Sequence, residues 1–302
     1  MKEHALWLYR NITAVARRRR LAALREAGRV PVAILFYHRV ADEFPNAWTL
    51  SRADFLRQLD WLQTNLDIVS LAEAQRRIRS NHCNRPTVSI TFDDGYGENA
   101  EFAIPELVRR QLPATYFVAT DFVASGKGFP HDLAAGKYLA PNTIAHLRQF
   151  AAQDIEIGAH TRSHRDMGQV QHRLEIEDEI IGSVQILEQW LNRRIDYFAF
   201  PYGLPANTTQ AAVDVIAAHG LQGFCSAFGE WNWPASPGFH LRRIHADPGL
   251  ESLRNWLTFD SRKLRKRVSV PFSEPVLQPG SPRPLVQQPQ VAVSYALASD
   301  LC

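Results

Sequence analysis

Residues 87–95 read Thr-Val-Ser-Ile-Thr-Phe-Asp-Asp-Gly. Val88, Ile90 and Phe92 fall at every second position, the period of a strand, and the run ends on two carboxylates and a glycine. Short apolar runs recur at Val32 to Tyr37, Ala114 to Ala119, Ile155 to Gly158, Asp196 to Phe200, Gln222 to Ser226 and Phe239 to Ile244. Helical patterns lie between them. One opens at Ser51 with Asp54 three residues on, another at Ser70 with Glu73 in the same relation, both N-capping arrangements. Others run over Asn99 to Gln111, Asn142 to Ala152, Val170 to Trp190 and Ala206 to His219. Seven strands alternating with helices predict βα units in one α/β body. A barrel fits; a doubly wound sheet would share the local pattern, but no GxGxxG follows any strand, so its dinucleotide-binding form has no support.

The composition is that of a globular chain: 302 residues, 45% hydrophobic and 22% charged. Cys83, Cys225 and Cys302 are far apart and form no CxxC pair, which predicts neither a disulfide framework nor a cysteine zinc site. The formal charge of +3 is unevenly spread. Residues 1–30 hold eight Lys or Arg against two Glu, Arg262 to Arg267 adds five positive charges, and residues 31–261 are left with a net −7. The basic balance therefore belongs to the flanks, and a nucleic-acid partner is not expected. Three segments follow: 1–30 as a basic amphipathic segment, 31–260 as one catalytic domain, and 261–302 as a basic run with a Pro- and Gln-rich disordered tail from Pro271.

In the first segment Leu6, Trp7, Leu8, Ile12 and Val15 precede Arg17 to Arg20. Tyr9, Arg10 and Asn11 interrupt the apolar stretch a secretory signal needs, so the expectation is a cytoplasmic enzyme with peripheral contact to an anionic membrane surface through residues 1–30.

Chemistry concentrates at the strand ends. Asp93 and Asp94 are like charges in immediate succession, which raises one pKa unless a cation sits nearby. A metal on one and a proton-accepting role for the other is a coherent division of labour. After the strand at 155–158, His160 and His164 stand four apart, a spacing that places both on one face of a helical turn. With one carboxylate they make an N₂O set for a divalent ion that leaves positions open for water and substrate.

The ordered set Thr91-Phe92-Asp93-Asp94-Gly95, His160-x-x-x-His164 and Phe198-Ala199-Phe200-Pro201-Tyr202-Gly203 resembles the polysaccharide deacetylases, carbohydrate esterase family four, over roughly Val32 to Leu257. The resemblance implies a deformed (β/α)₇ barrel that removes N-acetyl groups from an N-acetylhexosamine-containing glycan or its precursor. It puts Asp94, His160 and His164 on the metal, Zn²⁺ foremost with Co²⁺ or Ni²⁺ as alternates, and makes Asp93 the general base. It also implies that Pro201 lines the groove and that the Tyr202 backbone N–H binds the oxyanion. Phe36-Tyr37-His38-Arg39-Val40 looks like the N-terminal motif of a rearranged subgroup that includes exopolysaccharide deacetylases, which makes His38 the general acid, with His245 the competitor. Many members carry Arg where this chain has Ala199, so Arg162 or Arg243 is expected to orient Asp93. Trp231 and Trp233 are expected as a wall for a sugar ring. Two other readings stand beside this one: a metal-dependent esterase or amidase on a non-sugar acyl group, and a catalytically weak glycan-binding or membrane-associated protein.

Overall fold

The computed structural model describes residues 2–246 and 249–275. The strands in chain order are β1 (Val32–Tyr37), β2 (Arg39–Val40), β3 (Thr49–Leu50), β4 (Asp67–Ile68), β5 (Thr87–Phe92), β6 (Thr115–Val118), β7 (Glu156–Ala159), β8 (Tyr197–Ala199), β9 (Gly223–Ser226), β10 (His240–Arg242) and β11 (Ile244–His245). The helices are α1 (Lys2–Ile12), α2 (Ala14–Glu26), α3 (Arg52–Asn65), α4 (Leu71–Arg79), α5 (Ala103–Arg109), α6 (Thr120–Ser125), α7 (Pro130–Ala134), α8 (Ile144–Ala152), α9 (Arg173–Glu177), α10 (Ser183–Leu191), α11 (Gln210–Ala218), α12 (Leu250–Leu257) and α13 (Ser261–Leu264). Ser51 and Ser70 cap α3 and α4 as their spacing predicts, accepting from the N–H of Asp54 and Glu73. Each such cap contributes about 1 kcal/mol.

The main sheet is parallel, in the order β10-β9-β8-β7-β6-β5-β1-β11, with β4 added beside β5. The expected last strand, Phe239 to Ile244, is interrupted at Arg243. Its first part, β10, pairs with β9, and its second part, β11, pairs with β1. One stretch of six residues thus joins the two edges of the sheet, and this makes the nearly closed, deformed (β/α)₇ barrel.

Alternation sorts the strands into two faces. On β5, Val88, Ile90 and Phe92 pack outward with Phe55 and Leu59 of α3 and Ile104 and Leu107 of α5. Burying each contributes about 1.5–3 kcal/mol. Ser89, Thr91 and Asp93 then point inward, where Val32, Ile34, Phe117, Tyr197, Ala199, Cys225 and Leu241 fill the lower barrel. Cys83 and Cys225 are buried free thiols; Cys302 lies outside the described residues.

Beyond α13, Phe272 packs against Phe224 and His240, and Glu274 accepts from the His240 N–H. The expectation of a structureless tail from Pro271 therefore fails for residues 271–275, because an aromatic ring there finds an apolar seat. The rest of that expected tail lies outside the described residues.

Candidate active site and metal centre

Asp93 and Asp94 leave the C-terminal end of β5, and both are buried. Asp94 and Gly95 adopt positive φ values of 72° and 103°, which turns the chain over the barrel mouth. The Asp93 N–H donates to the Tyr37 carbonyl, and the Ala119 N–H donates to the Asp94 carbonyl, so β1 and β6 fix the backbone of the pair.

The two carboxylates have different partners. Arg243, from the break between β10 and β11, donates through both Nη atoms to Asp93, at 2.6 Å to Oδ1 and 2.8 Å to Oδ2. Its guanidinium is held over Phe36 (4.7 Å) and Phe117 (5.5 Å), and also donates to Thr91 Oγ1 and the Ser226 carbonyl. Burial alone would raise the Asp93 pKa; Arg243, with His160 and His38, outweighs it and holds the carboxyl below its usual range. Arg243 therefore takes the place of the residue missing at Ala199. Arg162, the other candidate, pairs instead with Asp178 and Asp121.

Asp94 faces the histidines. Its Oδ1 lies 3.4 Å from His160 Nε2 and 3.1 Å from His164 Nε2, and this buried oxygen has no hydrogen-bond partner. His160 Nδ1 is 2.8 Å from the Ala199 carbonyl, an atom that can only accept, so Nδ1 carries a proton and Nε2 is the nitrogen turned toward the carboxylate. A carboxylate oxygen and two imidazole nitrogens converging on one point form a donor set for a cation. All three ligand atoms lie within 4.8 Å of one another. The donor set fits a tetrahedral or five-coordinate ion with open positions, as zinc, cobalt or nickel would accept.

The histidines reach this arrangement without a helical turn. Residues 160–164 form an irregular loop in which Thr161 and His164 have positive φ values of 62° and 58°. The expectation of one helical face is corrected: left-handed residues at both positions curl the loop so that two rings converge. Glu179 secures it, accepting from the Arg162 and Ser163 N–H groups and from Ser163 Oγ. Glu179 lies in a single π-helical turn, Asp178–Gly182, set between α9 and α10, a local rearrangement that re-aims side chains at functional sites.

Around the ion site, Tyr202 follows Pro201 at the end of β8 with φ 60°, its ring 5.3 Å from His164. Gly203 follows at φ 62°; a Cβ there would lie 2.7 Å from the Ala227 nitrogen, so only glycine allows this crossing. His38 and His245 leave adjacent strands and their rings are 5.7 Å apart, edge to face. His38 Nδ1 is buried without a partner, and burial pulls this imidazole down to about 4.

Trp231 and Trp233 are not at the mouth. Asn232 between them pairs with Val32, at the opposite end of β1. Trp231 is buried and stacks on Phe259, while Trp233 packs against the core beneath Arg267. Aromatic rings in a strand-flanking segment went to the core, as such rings usually do. The exposed rings near the site are Tyr202 and Trp48, the latter 5.0 Å from His38 and 5.8 Å from His245. Trp48 and Glu179 were missed in the sequence because no local pattern distinguishes either.

Residues 80–224 match the family model described as polysaccharide deacetylase. Among curated proteins, the chain is 23% identical over 173 residues to "Putative polysaccharide deacetylase YxkH" of Bacillus subtilis (strain 168), covering 56% of each chain. The match thus spans little more than half the length of that relative. Among solved structures, IcaB from Ammonifex degensii superposes with a TM-score of 0.64 at 21% identity, over 76% of this chain and 97% of that one. A Streptococcus pyogenes deacetylase, PplD, in complex with acetate gives 0.64 at 21% over 76% and 99%. A de-N-acetylase from Aggregatibacter actinomycetemcomitans gives 0.61 at 17% over 75% and 99%. At these identities the likeness is one of fold.

Proposed function

Because residues 80–224 match the polysaccharide deacetylase family model, we propose that this protein is a metal-dependent hydrolase that removes N-acetyl groups from an N-acetylhexosamine-containing glycan or its precursor. The observation that carries the reading is the unpartnered, buried Asp94 Oδ1 between two imidazole nitrogens, next to an Asp93 that Arg243 keeps ionised. The substrate class rests on the family and on the de-N-acetylase among the fold relatives.

Asp94, His160 and His164 would hold one divalent ion, Zn²⁺ foremost, which supplies Lewis-acid polarisation of the acetyl carbonyl and acidifies a water. Asp93 accepts the proton of the attacking water, and Arg243 keeps its two oxygens aimed and its charge in place. The Tyr202 N–H donates to the developing oxyanion. His38, neutral at rest, takes up the proton that Asp93 received from the water and passes it to the departing sugar amine, which returns both groups to their starting states. Pro201 and the left-handed Tyr202 shape the groove beside it.

Acetate release from N-acetylglucosamine oligosaccharides, measured before and after chelation, tests this. Loss of release on chelation and its return with Zn²⁺, Co²⁺ or Ni²⁺ is expected; release that survives chelation overturns the metal role. Release from simple acyl esters but from none of the oligosaccharides would move the assignment to an esterase on a non-sugar group. The binding-only reading drew on Ala199 and on the basic N-terminus, and Arg243 on Asp93 removes the first of these grounds.

A further inference from the structure

The N-terminal helices carry apolar residues on two sides: Leu21 and Leu24 of α2 pack against the barrel core, and a second set points away from it. An amphipathic helix that merely covers a domain turns its apolar side inward. Here Arg17 is the buried residue, donating to Asp260, to the Asn255 carbonyl and side chain, and to Thr258 Oγ1. Arg10 pairs with Glu251, and Arg20 donates to the Phe259 carbonyl. The second apolar set faces solvent: Trp7, Leu8, Ile12 and Val15 are 51%, 54%, 73% and 59% exposed. Leu8, Ile12 and Val15 follow helical spacing, and Arg19 continues their line one turn on, with Arg18 at its flank.

The second basic run meets the first. Arg262 lies 4.2 Å over the Tyr9 ring, and Asp260 at the head of α13 binds Arg17. The two positively charged flanks, 240 residues apart in the chain, therefore share one side of the molecule. At the other end of the helix pair, Glu3 accepts from the Glu251 N–H at the start of α12, which begins five residues after His245. Trp7 and Leu8 thus lie toward the catalytic end of the barrel.

From these placements we propose that the exposed face of α1 and α2 docks on an anionic lipid bilayer, with Trp7, Leu8, Ile12 and Val15 entering the interface and Arg18, Arg19 and Arg262 on the headgroups. An outward apolar stripe continued by arginines is what such a surface selects, because apolar burial and headgroup attraction add. Among the described residues no helix is long and apolar enough to cross a membrane, so the contact is peripheral. It presents the catalytic mouth to substrate held near the surface. The proposal is independent of the deacetylase reading.

The test is co-sedimentation of the full chain with vesicles of pure phosphatidylcholine and of phosphatidylcholine with one third phosphatidylglycerol. Binding to the anionic vesicles at least tenfold stronger than to the neutral ones is expected. The double variant Leu8→Ser, Ile12→Ser and the double variant Arg18→Glu, Arg19→Glu should each lower it at least tenfold, with melting temperature and acetate release from soluble oligosaccharide unchanged. Equal partition on both vesicles, no partition, or variants that bind like wild type overturns it. So does a concentration-dependent dimer that the Leu8→Ser, Ile12→Ser variant abolishes in sedimentation velocity without vesicle binding, since the face would then belong to a second copy.

Discussion

Asp93 and Asp94 are neighbours in the chain, both buried, and their partners divide their work. Arg243 forms a fork on Asp93, leaving Asp94 to the two imidazoles. Replacing Arg243 with Met strands a buried carboxylate, and a loss of about 3–5 kcal/mol is expected, read by urea unfolding. The pH dependence has a defined sign. Asp93 is depressed in the fold, so its stabilising contribution is complete above its unfolded pKa near about 3.9 and is lost as pH falls through the lower folded value. In Arg243→Met, burial is opposed only by the weaker fields of His160 and His38, so the Asp93 pKa rises and the acid limb of kcat/KM moves to higher pH. An acid limb that stays in place would show that Arg243 does not tune the base. Of the paired histidines, His38 is the one with a buried, unpartnered ring nitrogen. His38→Asn is expected to lower kcat by about 10²–10⁴-fold, the range for general acid–base groups, and His245→Asn by much less. The reverse order in steady-state kinetics would assign the proton carrier to His245.

At the scale of elements, the site depends on places where regular structure stops. β10 and β11 part at Arg243, the 160–164 loop leaves β7 through left-handed residues, and the helix from α9 to α10 holds one π turn that carries Glu179. Strands and their caps were legible because alternation and capping are local: β1 and β5 have the predicted limits, and α3 and α4 begin at their serines. The interruptions were not legible, because each is stabilised by a partner far along the chain. Glu179 touches no reacting group and acts by holding Arg162 and Ser163. Glu179→Gln should keep the fold by circular dichroism yet weaken zinc affinity by about 10–100-fold, the range for groups that orient ligands. Competition against a chromophoric chelator measures this; affinity equal to wild type would reduce Glu179 to a loop support.

For the whole molecule, the sequence by itself determined the α/β alternation and the place of two adjacent carboxylates and two histidines at strand ends, because strand period and motif spacing are properties of neighbouring residues. It could narrow the partner of Asp93 to two arginines and no further. Closing the barrel chose Arg243, since only the ring of strands brings residue 243 within 2.6 Å of residue 93. The tertiary structure also took Trp231 and Trp233 into the packing and left Trp48 beside the site. It joined two basic flanks that read as separate charges along the chain. The physical reason is common to all of these. A side chain's periodicity says which face it occupies, whereas what stands opposite that face depends on which distant strand or helix the fold sets against it.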